Sequence, residues 1–318
     1  MAENHGLPYT GSKSRIAHWV IDHLPRGRVL IDAFAGGCAI THRALLSQKW
    51  QTIIANDING KYPQLFLDAI HGRYRDEKRW ISRQDFERLK SKDAFVACCW
   101  SFGNNLQHYM YSKAIEPYKR ALHYAIVFDD FAPMQELMPE VAQAVHDALQ
   151  GQNNLHDRRI TAQNVIVKTL KRLTDDNFAH PIIQSNPLYQ TIRHTSRNTP
   201  RPQSLQSLES LESLERLERM QVTSLSYDKI DIPDGAVVYC DPPYHACDKS
   251  LYESTAKAFD HCAFYDWCVS VSKTNPIFIS EYSIEDDRFE VVAEKQKTTS
   301  MSAKTTFNVT ERLYTVKQ

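Results

Sequence analysis

Val237-Val238-Tyr239-Cys240 runs without a charged residue into Asp241-Pro242-Pro243-Tyr244. Such an apolar run fits a strand covered on both faces, as strands inside a parallel sheet are. Proline lacks the amide donor and fixes φ near −65°, so the pair after Asp241 cannot extend a ladder. The strand must end there and the chain must turn. Open α/β sheets bind ligands in the crevice beyond the carboxyl ends of their strands. Asp241 is therefore a candidate for chemistry.

The opening of the chain supports a sheet of that kind. Helical spacing from Ile16 to Leu24 precedes a short buried strand, Val29-Leu30-Ile31, which leads into D-A-F-A-G-G (Asp32 to Gly37). A second strand, Thr52 to Ala55, ends in N-D-I-N (Asn56 to Asn59), and Leu65, Phe66 and Ile70 mark another helix. Strand, glycine turn, helix, strand, acid is a βαβ unit of the doubly wound type. Strand signals then lapse from about Lys61 to Met220 and return at Met220 to Leu225, Val237 to Tyr239 and Pro276 to Ser280. Val291 to Ala293 with Glu311 to Val316 reads as an antiparallel pair. The sequence thus predicts a discontinuous α/β domain, residues 1–60 and 221–318, around a mostly helical segment, 61–203. Between them, 204–220 is low in complexity, with an apolar residue at every third position, a period that drifts about 60° per step on a helix. It is assigned no chemistry.

Equal numbers of basic and acidic residues, 38 each, give no net charge, which neither announces nor excludes a nucleic-acid partner. Local charge is uneven. Arg73, Arg75, Lys78, Arg79 and Arg83 fall in one basic stretch, and Arg158, Arg159, Lys171 and Arg172 in another. These are the candidate phosphate contacts, against the plainer reading of solvated helix faces. Seven cysteines, an odd number, do not read as a secreted disulfide framework. With no membrane-length apolar run and no apolar signal core, the expectation is a cytoplasmic protein.

Singly, the motifs are weak. A glycine turn is more often structural than ligand-binding; Asp57 suits ribose hydroxyls or a helix N-cap; Tyr244 could be a packing ring. Their order is more specific. P-Y-T-G-S-K (Pro8 to Lys13), D-A-F-A-G-G, N-D-I-N, a long intervening segment and Y-C-D-P-P-Y resemble the Dam-like adenine-specific DNA methyltransferases. An aromatic-rich stretch, Tyr252 to Trp267, a strand F-I-S-E-Y (Phe278 to Tyr282) and an ending N-V-T-E-R-L-Y (Asn308 to Tyr314) add to the resemblance.

That resemblance implies a Rossmann-like class I methyltransferase fold with seven strands and a reversed final hairpin, an inserted helical target-recognition domain, S-adenosylmethionine as cofactor and double-stranded DNA as partner. It implies that Tyr9 and Lys13 flank the methionine part of the cofactor, with Asp32, Phe34, Ala35, Gly36 and Gly37 passing close to it. Asp57 would hold the ribose, and Ser226-Tyr227-Asp228 would supply the adenine contact, the choice among the three being open. Relatives often act on G-A-T-C. The glycine turn departs from the family's F-x-G-x-G: it reads F-A-G-G-C, with Cys38 at the last glycine. Cofactor affinity then rests on whether that position needs glycine or Gly37 serves instead.

The chemistry suits the residues. The exocyclic nitrogen of adenine is a poor nucleophile because its lone pair is delocalised into the ring. Asp241 and the Pro242 carbonyl could accept its two hydrogens and localise that pair, in a loop stiffened by proline; Tyr244 could stack on an extruded base. Three rival readings stay open: transfer to RNA adenine or protein glutamine, a DNA-binding module without catalysis, and metal binding by the thiols and imidazoles around Cys240 to Cys268. The last matches no zinc spacing, and no metal is expected.

Overall fold

The computed structural model of the protein describes residues 5–9, 11–173, 217–244, 259–302 and 305–318. Most of the 204–220 segment and the start of the aromatic-rich stretch lie outside them, as does Thr10.

Seven strands form one sheet in the order β3-β2-β1-β4-β5-β7-β6. These are β1 Val29–Asp32, β2 Thr52–Asn56, β3 Met220–Thr223, β4 Val237–Cys240, β5 Ile277–Glu281, β6 Phe289–Ser302 and β7 Thr305–Val316. The first five pair in parallel, while β7 runs antiparallel to both β5 and β6. The α/β sheet with a reversed final hairpin is therefore present. All four residues of β4 and all five of β5 are buried, which is why those strands lack a polar alternation.

Chain direction away from β1 reverses here: β2 and β3 lie on one side of it and β4 and β5 on the other. The carboxyl ends of β1 and β4 consequently flank the switch point, where a doubly wound sheet leaves its crevice. The register pairs Asp32 with Tyr239, bringing the glycine turn beside the D-P-P-Y loop.

Two differences from the sequence reading have clear causes. Strand β3 stops at Thr223, before Leu225, because the Asn56 side chain captures both the N–H and the carbonyl of Leu225 (3.0 Å each). The final hairpin is far longer than its apolar patch. Only residues 312–315 of β7 pair with β5, and the remainder forms a two-stranded ribbon with β6. That ribbon is rich in Lys, Thr and Ser, which hide the strand period.

By its internal contacts the chain divides into two units, Met1–Arg75 with Gln203–Gln318, and Asp76–Pro202. The first holds the sheet with α1 Ala17–His23, α2 Ala39–Ser47, α3 Lys61–Ile70 and α10 His261–Val271. In the second the described residues form α4 Arg83–Leu89, α5 Ala94–Cys99, α6 Glu116–Phe128, α7 Ala132–Leu137, α8 Pro139–Leu149 and α9 Leu155–Leu173. Its core is a separate cluster that includes Leu122, Ile126, Met134, Val141, Val145 and Ile166.

Candidate active site

Residues 5–9 form a strap against the turn that follows β1. Gly6 N–H donates to His42 Nδ1 (2.9 Å) and Leu7 N–H to the Gly37 carbonyl (2.7 Å). Accepting at Nδ1 suits a neutral ring, and burial pushes His42 down to about 3. Glycine is needed on both sides of this crossing. A Cβ on Gly6, whose φ is +73°, would meet the Gly37 carbonyl at 2.4 Å, and one on Gly37 would meet Tyr9 Cβ at 2.7 Å. Gly37 is therefore occupied in letting Tyr9 close over the turn.

The turn is held from below. Asp32 is buried, and its Oδ2 accepts from Thr41 Oγ1 (2.7 Å) and Thr41 N–H (3.2 Å), fixing the start of α2. Burial, with the charges of Asp241 and Asp57 in support, raises its carboxyl to about 7 despite those bonds. Cys38, also buried, takes φ +60° at the N-cap of α2. That is the left-handed region in which a glycine is unstrained and a side chain is not. The position does require glycine-like backbone, and the chain adopts it with cysteine.

Asp57 follows β2 and faces the turn. Its Oδ2 accepts from Gly36 N–H (2.9 Å) and its Oδ1 from Asn59 N–H (2.8 Å). It does not cap α3, whose N-cap is Gly60. Each carboxylate oxygen keeps a second lone pair for a hydroxyl donor. Desolvation raises its carboxyl, opposed by the two amides. Neighbouring Asn56 was not singled out in the sequence, yet its amide bridges the Ala33 and Leu225 carbonyls at 3.0 Å each while its Oδ1 accepts from Thr223 and Leu225. It aligns the ends of three strands and the loop that carries Tyr227.

Tyr227 packs at 5.8 Å and 30° on Phe34, and edge-on to Phe264 and Trp267. Asp228 is exposed and pairs with Lys229 at 3.1 Å. Of the three residues left open, Tyr227 joins the aromatic wall beside the glycine turn.

At the end of β4, Lys13 Nζ lies 2.6 Å from Asp241 Oδ1, 3.9 Å from Glu311 Oε1 and 4.5 Å from the centroid of the Tyr244 ring. Lys13 is 8% exposed, Asp241 18% and Glu311 0%. Tyr244 donates its hydroxyl to Glu311 Oε1 and sets its ring edge-on to Tyr282 at 4.6 Å. Pro242 is buried. Asp241 and Glu311 thus share the Lys13 ammonium, and the charges of Asp241 and Asp57 both reach Asp32. A crevice with that excess of acid suits a cationic ligand.

Residues 9–137 match the family model of the D12 class N6 adenine-specific DNA methyltransferases. Over that stretch the chain is similar to adenine-specific DNA methyltransferases. The match takes in Tyr9, Lys13, the glycine turn and N-D-I-N; Asp241 and Tyr244 lie beyond it, on the strand that pairs with β1 or just after it. No curated relative matches the chain.

The basic residues of the chain divide by burial. Arg73 is exposed beside Asp68 (2.7 Å), Arg75 and Lys78 are exposed, and Arg79 is exposed beside Glu77 (2.7 Å). Arg83 is half-buried, bonded to the Tyr111 carbonyl and 3.4 Å from Glu116. Arg158 does not fit a DNA contact and the sequence expectation is corrected. It is 5% exposed and donates to the carbonyls of Ala125, Ile126, Leu149 and Gln152 and to Asp129, so it ties α6, α8 and α9 together. Arg159 is half-buried, with burial lowering its guanidinium. Lys171 and Arg172 lie in α9, with side chains outside the described residues.

Among the described residues no three His, Cys, Asp or Glu side chains are placed to hold a metal ion, and no helix is long and apolar enough to cross a membrane.

Proposed function

We propose that the protein transfers a methyl group from S-adenosylmethionine to the 6-amino nitrogen of an adenine extruded from a short, specific sequence in duplex DNA. The observation that carries this reading is Asp241 at the switch-point end of β4, beside Lys13, which follows the strap.

The residues fit the cofactor. Asp57 offers acceptors to ribose hydroxyls, Phe34 and Tyr227 offer an aromatic wall to the adenine ring, and Tyr9 with the acidic crevice suits the methionine end. When bound, the cofactor supplies a methyl group activated by its positive sulfur.

The chain's own residues prepare the nucleophile. Asp241 and the Pro242 carbonyl accept the two amino hydrogens, favouring a pyramidal nitrogen whose lone pair points out of the ring. Pro242 and Pro243 fix the loop in advance, so little reorganisation accompanies the reaction. Lys13 loosens its hold on Asp241 as the amino group arrives, because both draw on the same carboxylate. Extruding the base costs a few kcal/mol, and stacking on Tyr244 offsets about 1–3 kcal/mol of it. The helical unit, with exposed Lys78 and Arg79, is assigned to DNA contact and site reading.

Radiolabelled methyl transfer to duplex DNA tests this. Incorporation into duplex as N6-methyladenine is the expected result; incorporation only into RNA or into protein glutamine overturns it. Sequencing of methylated positions, beginning with G-A-T-C, identifies the site.

A further inference from the structure

Glu311 belongs to the terminal strand, has no place in the catalytic motif, and is the most deeply buried of the charged groups that surround Asp241. Its side chain is 0% exposed. A carboxylate in that position is costly unless cations and donors surround it, and two of its neighbours are Tyr244 and Lys13. Tyr244 donates its hydroxyl to Oε1, and the Lys13 ammonium stands 3.9 Å from the same oxygen. Lys13 is at the same time 2.6 Å from Asp241 and 4.5 Å from the centre of the Tyr244 ring.

We infer that Glu311 is a positioning residue for methyl transfer. It fixes the ring that is to cover the target adenine, and it offers Lys13 a second anion, so that Asp241 can turn to the amino group while the buried ammonium keeps a carboxylate within reach.

Two features of the fold make this arrangement rigid. Arg312, the next residue in β7, pairs with Glu281 of β5 in the ladder and donates to the Tyr282 carbonyl, which anchors the Glu311 backbone to the strand beside β4. Tyr282 packs edge-on to Tyr244, so the phenol is held both at its oxygen and at its ring. Two points of attachment fix the plane as well as the position of the ring. Lys13 needs only a shift of the ammonium from its 2.6 Å partner towards its 3.9 Å neighbour. If Glu311 were absent, weakening the Lys13–Asp241 pair would leave the ammonium without this second anion, and that would oppose adenine binding.

This inference rests on the reading of the site as one for extruded adenine. Wild-type transfer to duplex DNA is therefore measured first: failure there removes the proposed function, whereas the variants address Glu311 alone. Glu311→Gln keeps an acceptor for Tyr244 and removes the charge; Tyr244→Phe removes the hydroxyl and keeps the charge. The full-length protein carries each, with S-adenosylmethionine binding and thermal melting as controls for folding. 2-Aminopurine at the target position reports stacking, since its fluorescence falls when it stacks on an aromatic ring. The expected result is a split. Tyr244→Phe changes the 2-aminopurine signal of the bound complex and raises KM for DNA. Glu311→Gln leaves that signal near wild type but lowers kcat at least tenfold. Glu311→Ala combines both defects where it folds. Wild-type kcat in a folded Glu311→Gln protein overturns the role for the charge, and an unaltered 2-aminopurine signal in Tyr244→Phe overturns the role for the hydroxyl.

Discussion

The Lys13 ammonium lies 2.6 Å from the Asp241 carboxylate, with Lys13 8% exposed. The pair joins the first segment of the chain to the end of β4 and sets an ammonium between Asp241 and Glu311. Replacing Lys13 by Met removes the ammonium that pairs with Asp241 and stands near Glu311. Removing one partner of a buried pair typically costs about 3–5 kcal/mol. Urea unfolding of Lys13→Met is expected to show a loss of that size, and a loss below about 1 kcal/mol would mean that solvent already screens the site.

Asp241→Ala separates chemistry from binding. Asp241 stands where the amino hydrogens are to be accepted, while the proposed cofactor contacts, Asp57, Phe34 and Tyr227, belong to other loops. Methyl transfer should fall at least about a hundredfold, by analogy with loss of one preorganised hydrogen-bonding group in other enzymes. The dissociation constant for S-adenosylmethionine, read by calorimetry, should change only a few-fold. Collapse of cofactor binding instead would place Asp241 in the cofactor site.

The residues that were legible in the sequence are those whose task is local. Fully covered strands such as β4 announce themselves by lacking polar residues, and Asp57 by its place at a strand end. Lys13 and Asp241 were found only as separate motif residues, because their meeting depends on a strap crossing a glycine turn and on strand order, neither of which has a spacing. Glu311 was legible only as one letter of the N-V-T-E-R-L-Y ending, because its place beside Lys13 and Tyr244 depends on how β7 pairs with β5. Arg158 looked like its neighbour Arg159, and only the packing of α6, α8 and α9 around it decides that it is structural. The outer ribbon of β6 and β7 was missed because its pairing is satisfied by backbone bonds among polar residues.

Cys38 gives a test of backbone strain independent of catalysis. At φ +60° a residue with a Cβ carries a cost of about 1–2 kcal/mol that glycine escapes. Cys38→Ala and Cys38→Gly both lose the buried sulfur, so their difference isolates the backbone term. Glycine should be the more stable of the two by about 1 kcal/mol, after its own entropy cost, in chemical denaturation. Equal stabilities would show that the turn relaxes.

Lys78 and Arg158 should respond in opposite ways. Lys78 is exposed, and Lys78→Ala is expected to reduce the slope of log Kobs against log[salt] for duplex DNA by about 1 if it neutralises one phosphate. Arg158→Met removes four carbonyl contacts and a partner of Asp129 from the helical unit. Its expected signature is a large drop in stability, about 3 kcal/mol or more, with the salt slope unchanged at a temperature where the variant is folded. A reduced slope for Arg158→Met with normal stability would return that residue to the interface.

Asp32 links the active-site turn to pH. Its carboxyl rises from 3.8 to about 7 in the folded protein, chiefly through burial. Between those values the native state holds a proton that the unfolded chain has released, so unfolding becomes easier as pH rises, by up to about 1.4 kcal/mol per pH unit. The stabilising contribution of the protonated acid is complete below pH ~4 and lost as pH approaches ~7. Asp32→Asn keeps an oxygen to accept from Thr41 and cannot ionise. The difference in stability between the variant and wild type should therefore grow in the variant's favour from pH 5 to pH 7 and level off above it, since other titrating groups are common to both proteins. The measurement is a series of denaturation midpoints across that window. A constant difference would mean that Asp32 titrates alike in both states, and that the Thr41 bonds already compensate for its burial.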